Sequence, residues 1–317
     1  VTHPQITYYF LFILIAFWVN ELVLSIRERI LPHFAKATGL LALAAVLAVG
    51  SNAGMLYYID SHSSETMRGG SELTSADGKK QDGLGLQYAT AWSYGKAETL
   101  HMLIPNLYGG TSQGGFSQDG EVAGVLRNYR ADVSQVPAYW GPQPMTSGPV
   151  YLGAVALLLA VLGMFVLRGR SKWWVFVVTL LAVLLSWGSN FMGFTELFFN
   201  YFPMYNKFRT VSMILVIAEW SVPFLMAVVL QRLWCGELDR QRLMKGLRSA
   251  VLTVGGIALL FLVFGGALMS FSGQGEDQLP QEVASAMRSE RASMMRADAF
   301  RSLLFVLLAA GVVWAFA

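Results

Sequence analysis

The chain has 317 residues, 55% of them hydrophobic and 14% charged, with a mean hydropathy of +0.48. That balance excludes an ordinary soluble globular domain and points to a polytopic membrane protein. A formal charge of +3 is too small to argue for nucleic acid as a partner, and the single cysteine, Cys235, leaves no intrachain disulfide and no cysteine-built metal cluster.

Seven apolar runs follow one another: Ile6 to Leu24, Thr38 to Tyr57, Val150 to Leu167, Trp173 to Trp187, Val211 to Leu230, Val251 to Met269 and Leu303 to Ala317. The expected fold class is therefore all-α transmembrane, with about seven membrane-spanning helices and a large extracytoplasmic loop domain. Residues 1–57 would hold two spans, 58–148 the loop domain, and 149–317 five further spans with an outer amphipathic segment at 279–300. The fourth run is short but can extend through Phe191 to Phe194. The chain opens at Val1 without an initiator Met or signal peptide and stops inside the seventh run, so a fragment lacking helices on both sides is expected.

Charge orients these runs. Arg27, Arg29 and Lys36 follow the first, Arg168, Arg170 and Lys172 the third, and Arg232, Arg240, Arg242, Lys245 and Arg248 the fifth. The positive-inside rule makes these connectors cytoplasmic, and puts Asp60 to Gly148, Phe191 to Thr210 and Ser272 to Arg301 on the outer side.

The insert from Asp60 to Gly148 is too long for a simple hairpin. Residues Arg68 to Asp82 are rich in turn formers and read as a lid or a disordered loop. Gly85 to Gly110 holds Trp92, Lys96, Thr99 and Leu103 at helical spacing, which predicts a helix lying against the bilayer and ending at Pro105 and Gly109. Tyr88, Trp92 and Tyr94 suit the headgroup layer, although aromatic rings also bind sugar faces. Glu98 and His101, three apart, fit an acid and base pair, two metal ligands, or simply a helix-surface pair in water.

Further along, Lys207 and Arg209, flanked by Tyr201, Tyr205 and Phe208, lie where the chain re-enters the membrane from outside. Cations there run against the charge bias, and a lipid phosphate is their natural partner. Glu219 lies eight residues into the fifth run, roughly 12 Å deep at 1.5 Å per residue. A carboxylate at that depth calls for a polar cavity or a buried partner rather than lipid. In Leu279 to Phe300, Val283, Met287, Met294 and Met295 interleave with Arg288, Glu290, Arg291 and Arg296, which suits an amphipathic surface helix or a solvated helix joining two spans. Val49 to Met55 and Trp187 to Gly193 both carry Gly-Ser-Asn, too short an echo to establish a repeat. No phosphate-cradling GxxxxGK[ST] loop, dinucleotide GxGxxG, HExxH or Asp-x-Asp pair occurs, and no GxSxG elbow is expected.

Six segments carry a resemblance: HPQITYYF (His3 to Phe10), SSETMRGGSELT (Ser63 to Thr74), YATAWSYG (Tyr88 to Gly95), LIPNLYGG (Leu103 to Gly110), YWGPQPMTSGPVYLG (Tyr139 to Gly153) and FPMYNKFRTVSMILVIAEW (Phe202 to Trp220). In order and spacing they resemble the YfhO family of bacterial polytopic membrane proteins, in the form found in Bacteroidetes. That family resembles the GT-C glycosyltransferases, which move a sugar from a polyprenyl-phosphate carrier to an acceptor on the outer face.

The resemblance implies a multi-pass protein of the bacterial cytoplasmic membrane. Its partners would be membrane lipids, a polyprenyl-phosphate-linked sugar and a cell-surface glycopolymer acceptor. It implies a catalytic carboxylate in an outer loop before Val1, which assists the acceptor or binds a divalent cation, so the main catalytic acid and any metal ligand are unassigned here. Within the chain, Lys207, Arg209, Tyr205 and Glu219 are candidates to bind substrate or the lipid phosphate, with Lys207 and Arg209 holding the donor phosphate itself. Glu98 and His101 are candidates to take the acceptor proton, and the insert would exclude water. A transporter or flippase for a lipid-linked precursor, or a non-enzymatic membrane scaffold, are the alternative classes.

Overall fold

The computed structural model describes residues 3–63, 84–169 and 171–316. The turn-rich stretch Arg68 to Asp82, most of Ser63 to Thr74, and Arg170 lie outside them. Among the described residues the regular structure is helical, with no strand. In chain order the helices are α1 (Pro4–Arg27), α2 (Leu31–Ser51), α3 (Ala53–Ser63), α4 (Leu86–Ala89), α5 (Glu121–Asn128), α6 (Ala154–Val166), α7 (Ser171–Ser186), α8 (Met192–Tyr201), α9 (Val216–Trp234), α10 (Arg240–Ala250), α11 (Gly256–Leu268) and α12 (Gln281–Phe316).

Among the described residues, five helical stretches are long and apolar enough to cross a membrane: Pro4–Arg27, Leu31–Ser51, Val211–Trp234, Arg240–Leu268 and Gln281–Phe316. The count rises to six if the bent pair α7 and α8 is one crossing. The third apolar run yields only the 13-residue α6, about 20 Å of helix against a hydrocarbon core of about 30 Å. Its start is set by Gly153, whose φ of +93° ends the preceding extended chain. The fourth run does not extend smoothly through Phe191 to Phe194 as expected, because the chain bends by 109° between Ser186 and Gly188.

The chain folds as two compact units, one of Val1–Ser93 with Trp173–Ile217 and one of Tyr94–Lys172 with Ala218–Ala317. The boundary cuts the polar insert between Ser93 and Tyr94.

In the first unit, Pro4 and Pro32 occupy the opening turns of α1 and α2, where their missing N–H groups cost nothing. α2 begins at Leu31, so Lys36, read as part of a connector, is helical. None of its residues is buried. The bend after α7 depends on Gly188, which has φ +44° and leaves no room for a Cβ against Ser93 Oγ and Val211. Ser93 Oγ accepts from Ser189 N at 2.7 Å, and Thr195 Oγ1 donates to Gly188 O at 2.9 Å, so polar contacts replace the interrupted helical ladder.

In the second unit, α12 is one unbroken helix of 36 residues. The segment 279–300 is therefore neither a separate surface helix nor a solvated connector. Val283, Ala286 and Met287 on its inner face close an apolar core with Phe116, Val122, Ala123, Leu126, Val133 and Ala138 of the insert. Polar staples follow the same face. Glu290 accepts from Ser117 N (3.0 Å) and Val122 N (2.9 Å), capping α5 from another helix. Asp298 Oδ2 accepts from Asn106 N at 2.9 Å, and Ser302 Oγ donates to Leu103 O at 2.6 Å.

Candidate functional site

Residues 94–148 are held mainly by hydrogen bonds rather than regular elements. The segment 108–114 runs beside 138–140, with Trp140 N donating to Tyr108 O (3.0 Å), Tyr139 N to Thr111 O (2.9 Å) and Ala138 N to Gly114 O (2.9 Å). Gly109, at φ +85°, is required because a Cβ there would overlap the Ala138 carbonyl. Against the expectation that no GxSxG occurs, Gly110 to Gly114 reads Gly-Thr-Ser-Gln-Gly, but neither a strand nor a helix flanks it as a nucleophile elbow requires. Ser112 Oγ accepts from Thr146 N at 2.9 Å, which makes it a loop fastener.

The helix expected across Trp92, Lys96, Thr99 and Leu103 does not form. In its place are the single turn α4 and a 3-10 turn, Ala97–Met102. The hydroxyls of Thr90 and Ser93 explain the break, donating to Leu86 O (2.8 Å) and Thr90 O (2.6 Å) where helix propagation competes for the same carbonyls. Tyr94, expected in the headgroup layer, is buried within its unit.

Glu98 and His101 are not a surface pair in water: Glu98 is 0% and His101 1% exposed. Each has its own partners. Glu98 Oε2 accepts from Gly95 N (2.5 Å), and Oε1 from Tyr139 Oη (2.5 Å) and Gln143 Nε2 (3.4 Å). Burial holds the Glu98 carboxyl above the usual carboxylate range, offset in part by these donors. Burial likewise raises Tyr139, reinforced by the charge of Glu98.

His101 is neutral, because burial pushes its pKa down to about 3. Tyr108 N donates to its Nε2 at 3.1 Å, so Nε2 carries the lone pair and Nδ1 the proton, which faces Tyr94 Oη at 3.2 Å. With both nitrogens engaged, His101 is a brace rather than a proton carrier. Among the described residues no group of three or more His, Cys, Asp or Glu is arranged to hold a metal ion.

Beside Glu98 lies a cleft of about 680 Å³ whose walls include Tyr139, Trp140, Gly141, Gln143, Glu276 and Arg291. Gly141 has no space for a Cβ against Tyr139 Oη and Glu98 Oε1, so the carboxyl lies behind this part of the cleft wall. A row of rings backs the cleft: His101 and Tyr108 (5.6 Å between centroids), Tyr108 and Trp140 (4.4 Å), Trp140 and Phe271 (5.5 Å). Arg291, 1% exposed, ties the far wall together. It donates to Ala138 O (2.7 Å), Pro137 O (3.1 Å) and Phe271 O (2.9 Å) and forms an ion pair with Glu276. Sequence reading missed Arg291, Glu276 and Tyr139. The signal for Arg291 was spacing: 287, 291, 295, 298 and 302 share one helix face.

The remaining candidates are distributed between the units. Glu219, in the second unit, is exposed at the surface of the helix rather than buried against a partner. Tyr205, Lys207 and Arg209 belong to the first. Tyr205 is buried, its hydroxyl without a hydrogen-bond partner, while Lys207 is half-buried and Arg209 exposed. Gln5 Nε2 donates to Arg209 O at 2.5 Å and Arg209 Nη1 to Tyr88 Oη at 2.8 Å. Met204 (φ 63°) and Thr210 (φ 61°) bracket this loop in left-handed backbone, a strain of about 1–3 kcal/mol per residue that the surrounding contacts hold in place.

Compared with known proteins, the chain matches no family model, no curated protein and no solved structure.

Proposed function

We propose that this chain is an integral membrane protein of the YfhO type that transfers a sugar from a polyprenyl-phosphate carrier to a cell-surface acceptor at the outer face of a bacterial cytoplasmic membrane. The observation that supports it best is the buried carboxyl of Glu98, raised above its ordinary range and bonded to Tyr139 in the wall of a polar and aromatic cleft. Such a carboxylate accepts a proton nearer neutral pH than an ordinary glutamate does.

In the proposed step the acceptor hydroxyl attacks the anomeric carbon, and the bond from that carbon to the phosphate oxygen breaks, its electron pair leaving with the polyprenyl phosphate. The acceptor proton passes to Tyr139 Oη while Tyr139 gives its own to Glu98 Oε1. Glu98 has no exposed surface, so the relay through Tyr139 is its route to the cleft. Lys207 and Arg209, which belong to the first unit, are proposed separately as binders of a lipid phosphate on the strength of their charge.

The topology in this reading places the basic connectors in the cytoplasm and the insert outside, with α6 as a short crossing and α7 with α8 as a broken one. The test is transfer of labelled sugar from a polyprenyl-phosphate donor in proteoliposomes. Glu98→Gln and the paired Lys207→Ala, Arg209→Ala variants are each expected to lose at least tenfold in rate. Unchanged transfer in the first overturns the role of Glu98, and unchanged transfer in the second overturns the phosphate role. Absence of transfer by the unaltered protein, with donor crossing the bilayer intact, favours a flippase.

A further inference from the structure

A second cleft lies in the second unit, between the end of α6 and the start of α10. It encloses about 330 Å³, and its lining includes Phe165, Asp239, Gln241, Arg242, Lys245 and Ser249. Gly246 lets the two helices close on each other, since an added Cβ would lie 2.6 Å from Val166 Cγ1.

Cations from two elements meet at this cleft. Lys172 Nζ, at the start of α7, donates to Met164 O (2.6 Å) and Leu167 O (2.9 Å). Arg242 Nε donates to Phe165 O (3.2 Å), and its Nη2 reaches the same Leu167 O at 3.5 Å. These carbonyls form the open end of α6, where the helix dipole offsets about half of one positive charge. Lys245, one turn along α10, adds a further cation, and among the described residues neither Arg242 nor Lys245 has an ion-pair partner. Asp239 is the one acid on the lining, and its Oδ1 is occupied by Arg242 N at 2.8 Å as the N-cap of α10. Positive charge is left in excess around a concave space. A guanidinium beside an ammonium suits the oxygens of a phosphate.

Depth selects the source of that phosphate. The stretch Arg240–Leu268 has 29 residues, about 43 Å at 1.5 Å per residue against a hydrocarbon core of about 30 Å. With the apolar residues from Val251 onward in hydrocarbon, Arg240 to Ser249 stand in the headgroup layer. Phe165, 44% exposed, gives the cleft an apolar wall, and Leu252, Leu259, Leu260 and Val263 are exposed farther along the same stretch. An anion held at Arg242 and Lys245 therefore has a surface for acyl chains beside it.

We propose that this cleft is a binding site for an anionic phospholipid, with Arg242 and Lys245 contacting its phosphate, Lys172 adding charge, and its acyl chains lying along Phe165 and the exposed apolar residues after Ser249. The site is independent of the transferase reading. It lies at the opposite end of the Arg240–Leu268 stretch from Phe271 and Glu276, and its chemistry is the same on either face of the membrane.

The experiment uses the full chain, delipidated in a neutral detergent and titrated with dioleoylphosphatidylglycerol or dioleoylphosphatidylcholine, with bound lipid read by native mass spectrometry. Phosphatidylglycerol is expected to bind at least tenfold more tightly than phosphatidylcholine, and millimolar inorganic phosphate is expected not to displace it. Lys245→Gln is expected to weaken binding about fivefold, and Lys245→Gln with Arg242→Gln about twentyfold. Arg232→Gln removes a cation outside the cleft, one paired with Glu237, and is expected to change the affinity less than twofold. Arg242 also caps α6, so the exposed Lys245 decides the matter alone if the double variant does not fold. Equal affinity for the two lipids, unchanged affinity in Lys245→Gln, or the same loss in Arg232→Gln overturns the proposal. Displacement by inorganic phosphate also overturns it, and marks the cleft as a site for a soluble phosphate instead.

Discussion

Tyr139 donates its hydroxyl hydrogen to Glu98 Oε1 at 2.5 Å, joining two residues 41 positions apart. The same hydroxyl oxygen accepts from Gln143 N at 3.0 Å, so one phenol orders both the buried carboxyl and the cleft wall. Tyr139→Phe removes both bonds while keeping the ring. It is expected to lower stability by about 1–3 kcal/mol, read as a thermal midpoint several degrees lower in detergent. It should also abolish transfer if the proposed relay operates.

His101 and Glu98 give opposite pH dependences. The pKa of His101 is lowered to about 3 by burial, so between its ordinary value near 6.5 and 3 the unfolded chain binds a proton that the folded chain refuses. Stability from this residue is present above pH 6.5 and lost as pH falls toward 3. Glu98 is raised, so its contribution is present below the ordinary glutamate value and lost as pH rises through the folded one. Thermal midpoints measured from pH 7 to 4 should fall less steeply in His101→Gln, whose amide oxygen still accepts from Tyr108 N.

Arg291 and Glu276 form a buried ion pair whose two members are not equally replaceable. Arg291→Met strands the Glu276 carboxylate and frees the carbonyls of Pro137, Ala138 and Phe271. A loss of about 3–5 kcal/mol is expected. Adding Glu276→Gln to that variant should restore part of the melting temperature, because the uncompensated charge is gone.

Gly188→Ala should be among the most damaging small substitutions in the first unit. The residue has φ +44°, and a methyl there overlaps Ser93 Oγ and Val211. A loss of about 2 kcal/mol or more is expected, with faster protease cleavage near the bend.

Cys235 is exposed in the connector between α9 and α10. A membrane-impermeant maleimide should label it only from the cytoplasmic side. Labelling from outside in intact cells would invert the proposed topology.

The apolar helices were legible because hydropathy over about 20 residues is a local property: α1, and the spans containing α9, α11 and α12, fall on the runs read from sequence. The bend at Gly188 was not legible, since Gly188 to Asn190 interrupts the apolar run only briefly before Phe191 and the Ser93 hydroxyl that stabilises the bend comes from far away in sequence. Within the cleft, Glu98 and His101 stood out as ionisable residues in an aromatic segment. Their burial did not, because it is produced by 138–143, packed from forty residues downstream. Arg291 looked like one cation of an amphipathic surface, and only the carbonyls of a folded insert reveal it as an internal strut.

The continuity of α12 has a mechanical side. Its 36 residues span about 54 Å at 1.5 Å per residue, with Arg291 and Glu290 fixed into the insert at one end and the apolar turns around Val313 at the other. No break lies between them to absorb a tilt. A bilayer whose thickness reorients the apolar end therefore acts on the wall of the cleft through a stiff lever, which makes lipid chain length a variable to control in every binding measurement.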